Sequence, residues 1–158
     1  MTEPNDTTTL VERLQSVQSQ LKAPKGQKNK FGNYNYRSAE DILEALKPLL
    51  ASNGLALIIA DDIVEIAGRV YVKASASVID AYGAQIGSNG FAREAETKKG
   101  MDDAQITGSA SSYARKYALN GLFAIDDTKD ADSTNTHGKD KTSKPQQNET
   151  VNALDGLI

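Results

Sequence analysis

Apolar residues recur every three to four positions in two stretches of the chain and every second position in a third, and these two periods divide it. Leu10, Leu14, Val17 and Leu21 stand three and four apart within 9–21, the stripe of an amphipathic helix capped by one of the threonines before it. Ile42, Leu43, Leu46, Leu49 and Leu50 form a second stripe. Ser38 is placed to cap its first turn, which ends at Asp41, and Asn53-Gly54 to stop it. Pro48 falls inside that stripe and predicts a kinked or shortened helix.

The alternating period follows. Isoleucine-rich 55–66 predicts a strand, Ala67-Gly68 a turn, and 69–81 a second strand. In that second strand Tyr71, Lys73, Ser75 and Ser77 share one face, and Val70, Val72, Ala74, Ala76 and Val78 the other. After Tyr82-Gly83, residues 84–96 predict a looser third strand interrupted by Gly87 and Gly90. A long helix is predicted over about 102–120, with Gly121 near its end. The fold class is α+β: N-terminal helices, an antiparallel three-stranded β-meander and a long helix packed across it.

Past Asp126 the composition turns to Ser, Thr, Asn, Gln, Lys and Asp, too polar to build a core. The predicted organisation is a flexible N-terminus over 1–8, one domain over 9–132 and a disordered polar tail over 133–158. The tail ends in VNALDGLI, whose Val151, Leu154, Leu157 and Ile158 suit docking on a partner groove. With 158 residues and 39% hydrophobic content there is room for one modest core.

Cysteine is absent, which excludes disulfides, a thiol nucleophile and thiolate metal clusters and fits a reducing cytoplasm. The start, MTEPNDTTT, is too polar for a signal peptide, and the longest apolar run, 55–60, is too short to span a bilayer. No GxxxxGK[ST] motif occurs, so no P-loop ATPase activity and no cofactor are expected.

The net charge of −3 conceals an uneven distribution. Residues 22–37 carry Lys22, Lys25, Lys28, Lys30 and Arg37 without an acid, interleaved with Phe31, Tyr34 and Tyr36. Cations for phosphates and rings for bases are the means of non-specific single-strand binders. A solvated loop with its rings tucked under the sheet is the plain alternative.

The helix over 102–120 adds a second basic element. Ile106, Ala110, Tyr113, Ala114 and Tyr117 cluster on one side, with Gly108, Arg115 and Leu119 on the far side. Its GSASS run disfavours a helix by about 0.5–1 kcal/mol per Gly or Ser relative to Ala, so close approach of a sheet, a neighbouring subunit or a phosphate is expected. Gly108, Ala110, Tyr113, Ala114 and Tyr117 are therefore candidates for helix packing or an oligomer interface. Arg115 and Lys116 are candidate phosphate ligands, joined by Lys98 and Lys99 in the preceding loop and Arg93 on the preceding strand. Asp102 and Asp103 suit the helix N-terminus, where the dipole favours acids. Asp126, Asp127, Asp130 and Asp132 match no EF-hand spacing and read as an acidic exit; no metal site is assigned, and His137 in the tail is given no chemical role.

Two blocks, GNYNYRSAEDILEALKPLLASNGL and KKGMDDAQITGSASSYARKYALNGLFAIDDTKDAD, resemble the essential recombination function (ERF) family of phage single-strand annealing proteins, over about residues 8–132. The resemblance implies ATP-independent binding of single-stranded DNA, annealing of complementary strands in phage homologous recombination, and ring or filament homo-oligomers on a β-β-β-α core. By position it implies Lys98, Lys99, Arg115 and Lys116 as DNA-binding candidates, with Tyr113 and Tyr117 on the helix face. In the basic loop it covers only Tyr34 and Tyr36. The expected partners are single-stranded DNA, further copies of the chain and a host or phage replication or recombination protein met through the tail, with no membrane. A passive single-strand-binding module and a metal-dependent nuclease are the other classes compatible with the residues.

Overall fold

The computed structural model describes residues 8–126. Three helices, α1 (Leu10–Gln20), α2 (Ala39–Ser52) and α3 (Asp103–Leu122), each begin with a reciprocal capping box. Ser38 Oγ accepts from the Asp41 N–H at 3.1 Å while the Asp41 carboxylate accepts from the Ser38 N–H at 2.8 Å. Thr9 with Glu12, and Asp102 with Gln105, repeat the exchange. Each cap contributes about 1 kcal/mol by satisfying amides that the first turn leaves without partners.

The shortening expected from Pro48 does not occur, since α2 runs through it to Ser52. Pro48 and Glu44 both lie on the exposed side of the helix, where water can take the carbonyl that the missing amide releases.

Three strands, β3 (Ala56–Ile66), β4 (Arg69–Ile79) and β5 (Gln85–Arg93), form one antiparallel sheet in the order β3-β4-β5. Ala67 and Gly68 both take positive φ, 51° and 72°, and close the two-residue turn between paired Ile66 and Arg69. Alternation in β4 is as the sequence indicates. Val72, Ala74, Ala76 and Val78 are each 1% exposed or less, whereas Tyr71, Lys73, Ser75 and Ser77 face the other way. Val70, grouped with the inner residues, lies past the covered zone at 39% exposed.

β5 is continuous through both glycines that were expected to interrupt it. They mark close approaches instead. A Cβ at Gly90 would strike Ala114 O and Ala118 N and stand 2.9 Å from the Tyr117 carbonyl carbon, so the strand lies directly on the α3 backbone. A Cβ at Gly87 would stand 2.7 Å from Ser77 Oγ on the other face.

α3 meets the sheet along Ile106, Ala110, Ala114, Ala118 and Leu122, a row four residues apart in which every member is buried. Such a row is inclined to the helix axis, and this explains two departures from the straight-wheel expectation. Tyr113 and Tyr117, grouped with the inner side by the wheel, stand on a flank at 53% and 48% exposed. Leu119, assigned to the far side, is fully buried. It joins Leu122 and Phe123 in one core with Leu14 and Val17 of α1 and Ile42 and Leu46 of α2, and Gln18 Nε2 donates to the Leu122 carbonyl at 2.9 Å. Burying a side chain the size of Phe123 contributes about 1.5–3 kcal/mol. The helix also runs further than expected, to Leu122, with Gly121 inside it and the left-handed position taken by Ala124 at φ 53°.

The basic segment folds as a short hairpin, β1 (Gln27–Asn29) paired with β2 (Tyr34–Tyr36). Among the described residues no helix is long and apolar enough to cross a membrane, and no three His, Cys, Asp or Glu residues are grouped to hold a metal ion. Asp127, Asp130, Asp132, His137 and the apolar end from Val151 to Ile158 lie outside the described residues.

Candidate nucleic-acid interface

The two basic elements, far apart in sequence, meet along one flank of α3. A cleft of about 460 Å³ opens between the hairpin and the helix, with Tyr34, Tyr36 and Arg37 on one wall and Tyr113, Lys116 and Tyr117 on the other. A second depression of about 400 Å³ lies between α3 and the β5 edge, lined by Phe91, Arg93, Lys98 and again Tyr113 and Tyr117. The two tyrosines form a ridge shared by both hollows, with cations on either side.

Local chemistry fixes the hairpin wall. Asn29 Oδ1 accepts from the amides of Phe31 and Gly32 at 2.9 and 3.1 Å, which folds the tip. Asn29 Nδ2 donates to the Tyr34 hydroxyl at 3.0 Å. Gly32 lies under that ring, since a Cβ there would stand 2.6 Å from Tyr34 Cδ1. Tyr34 and Tyr36 then meet edge-on, with centroids 6.3 Å apart at 62°. Across the cleft, Tyr113 and Tyr117 are 6.4 Å apart and tilted by 35°. Partial burial and the neighbouring phenols of Tyr34, Tyr117 and Tyr36 raise the Tyr113 pKa above its usual value, so the cleft presents a neutral phenol at ordinary pH. An Arg37 Nη donates to the Asp126 carbonyl at 3.5 Å, linking the hairpin to the residues after α3.

Arg115 is placed differently. It lies on the opposite flank, toward β3, where its Nη2 is 2.9 Å from Asp61 Oδ2 and its Nε donates to both carboxylate oxygens. Ser111 donates to the same carboxylate. Burial pushes the Asp61 pKa up, but the hydrogen bonds from Arg115 and Ser111 and the charge of Arg115 outweigh it and hold the carboxyl below its usual range. Arg115 is thus a strap between α3 and β3, with 44% of its side chain exposed.

Of the sequence-predicted residues, the structure gathers Arg93, Lys98, Lys116, Arg37, Tyr34, Tyr36, Tyr113 and Tyr117 along one flank. Lys28, Lys30 and Lys99 are exposed but line neither hollow. Ala110 and Ala114 pack on the sheet, whereas Gly108 faces open space with nothing within 4 Å of a Cβ built on it. Sequence reasoning missed Asn29, which orients Tyr34, and Asp61, which holds Arg115. An asparagine three residues before a glycine in a turn-forming segment is a usable signal for the first. No local pattern links Asp61 to a residue 54 positions away.

Fold and site together define an α+β protein with a β-β-β-α core and a basic, tyrosine-lined helix flank. The chain belongs to the ERF superfamily, whose family model matches residues 10–154 and so continues past Asp132 into the polar tail. It is 56% identical over 133 residues to the essential recombination function protein of Salmonella phage P22, a match that takes in 84% of this chain and 63% of that relative. The chain therefore spans less than two thirds of that protein's length.

Proposed function

We propose that this protein binds single-stranded DNA and anneals complementary strands without ATP in phage homologous recombination, working as an oligomer of side-by-side copies. The observation that carries the reading is the convergence of Arg93, Lys98, Lys116 and Arg37 on the flank bearing four tyrosines. The name of the P22 relative supports the recombination role. Phosphates held by these cations keep a strand extended and lower the repulsion met by its complement, and neither step needs a nucleophile. With four phosphate contacts per subunit, the logarithm of affinity falls against the logarithm of salt with a slope of about −3.

Lys98→Ala combined with Lys116→Ala weakens single-strand binding in filter assays, lowers that slope by about one to two, and leaves circular dichroism intact. Annealing is read by quenching between labelled complementary oligonucleotides. Binding with no acceleration of quenching would reduce the protein to a passive coat, and an unchanged affinity in the double variant would remove the flank from the mechanism.

A further inference from the structure

We propose that the cleft between the β1–β2 hairpin and α3 is a receptor for one unpaired nucleobase, which enters between the hairpin tyrosines and Tyr113–Tyr117 while its phosphate rests at Arg37 and Lys116. The proposal builds on the single-strand-binding reading and adds a contact to the base itself.

Four features carry it. The cleft, about 460 Å³, lies toward the small end of ligand sites, which suits a single nucleotide rather than a stack of several. Its rings are left in contact with solvent although folding favours burying them: Tyr113 and Tyr117 are about half exposed on the flank of a helix whose inner row is packed on the sheet. The hairpin wall is set in advance by the Asn29 bond to the Tyr34 hydroxyl and by Gly32 beneath the ring, so little freedom is lost when a flat ligand arrives. Lastly, cations stand beside both aromatic walls, the pairing that fits a base together with its phosphate. Glu40 is the acid lining the cleft, and repels a dianionic ligand more than a monoanionic diester.

The consequence differs from a groove that only grips phosphate. One base at each cleft is withdrawn from pairing until it leaves, so the strand is offered to its complement with regular gaps.

The test compares anisotropy of labelled oligothymidine with that of an abasic oligomer carrying the same number of phosphates, at one salt concentration, using the full chain. Wild type binds the abasic oligomer about 5- to 100-fold more weakly. Tyr113→Leu, at a half-exposed position outside the buried core cluster, removes most of that difference by weakening oligothymidine binding far more than abasic binding; Tyr34→Ala does the same. A strand carrying 2-aminopurine loses fluorescence on binding wild type and keeps it on binding Tyr113→Leu. Equal and tight binding of both polymers by wild type overturns the base receptor while sparing the phosphate groove. Failure to bind either polymer overturns the groove and the receptor together.

Discussion

Replacing Gly90 with alanine adds one methyl group and tests the central packing contact of the fold. That methyl has no room: it would strike Ala114 O and Ala118 N and come within 2.9 Å of the Tyr117 carbonyl carbon. All three are backbone atoms of a helix, so relief needs α3 to lift from β5 as a body. Overpacking into side chains costs typically about 1–3 kcal/mol, and with backbone on the far side the upper end of that range is expected, about 3 kcal/mol. For a domain of this size about 1 kcal/mol moves the midpoint by roughly 3–5 °C, so the loss in Tm is about 10 °C. Gly108→Ala supplies the control on the same helix. Nothing lies within 4 Å of its Cβ, so the methyl meets only water, and the gain in helix propensity raises stability by about 0.5–1 kcal/mol. Thermal unfolding followed by circular dichroism at 222 nm (roughly the usual helix wavelength, for a chain with long helices) reads both. A Gly90→Ala midpoint within about 2 °C of wild type would refute the contact, and a destabilised Gly108→Ala would show that face to be covered in solution.

Three further outcomes are expected. Gly32→Ala pushes the Tyr34 ring aside, a flexible side chain rather than backbone, so Tm changes by only a few degrees at about 1 kcal/mol or less, while titration with oligothymidine shows weaker binding; unchanged affinity would mean that the position of Tyr34 is immaterial. Asp61→Asn tests the strap to Arg115. Its depressed folded-state pKa stabilises the fold above the unfolded carboxylate value, near 3.8, and that contribution is lost as pH falls through the folded pKa. The gap in urea midpoint between wild type and Asp61→Asn, a partly exposed pair worth less than about 1 kcal/mol, therefore closes on acidification below about pH 4, and a gap independent of pH would count against the pairing. Phe123→Ala, at a 1% exposed position, costs about 3–5 kcal/mol in chemical denaturation; a loss under about 1 kcal/mol would show that the core does not depend on it.

Elements governed by local rules were legible in the sequence. Ser38 and Asp41 form the expected cap, Ala67-Gly68 the expected turn, and β4 alternates as written. Errors arose where the partner is distant. Pro48 looks like a breaker until its exposed position on α2 is known. Gly90 looks like an interruption until α3 lies on it, and of the close approaches expected for Gly108 the one to the chain's own sheet does not occur, since nothing in the chain lies within 4 Å of a Cβ there. The site was half legible. Each basic element was identified on its own, but no periodicity in one segment tells that Tyr34 and Tyr113 face each other across a cleft, because that placement depends on the docking of the hairpin beside α3. Likewise, adjacent Arg115 and Lys116 read as one positive patch, although a step of about 100° around the helix sends them toward different partners.

The contact between Gly90 and the α3 backbone also bears on force. Where a larger side chain such as Leu119 or Phe123 stands between main chains in the core, it can shift rotamer to absorb a small displacement. At Gly90 nothing intervenes, and the atoms touched include the carbonyl carbon of Tyr117, one of the ridge residues. A pull on that tyrosine therefore reaches β5 without a cushion and passes through the hydrogen-bonded ladder to β4 at the centre of the sheet. In mechanical terms the tyrosine ridge is anchored through main chain to the hydrogen-bonded sheet, so tension in anything it holds loads β5 and β4 in place of bending a loop.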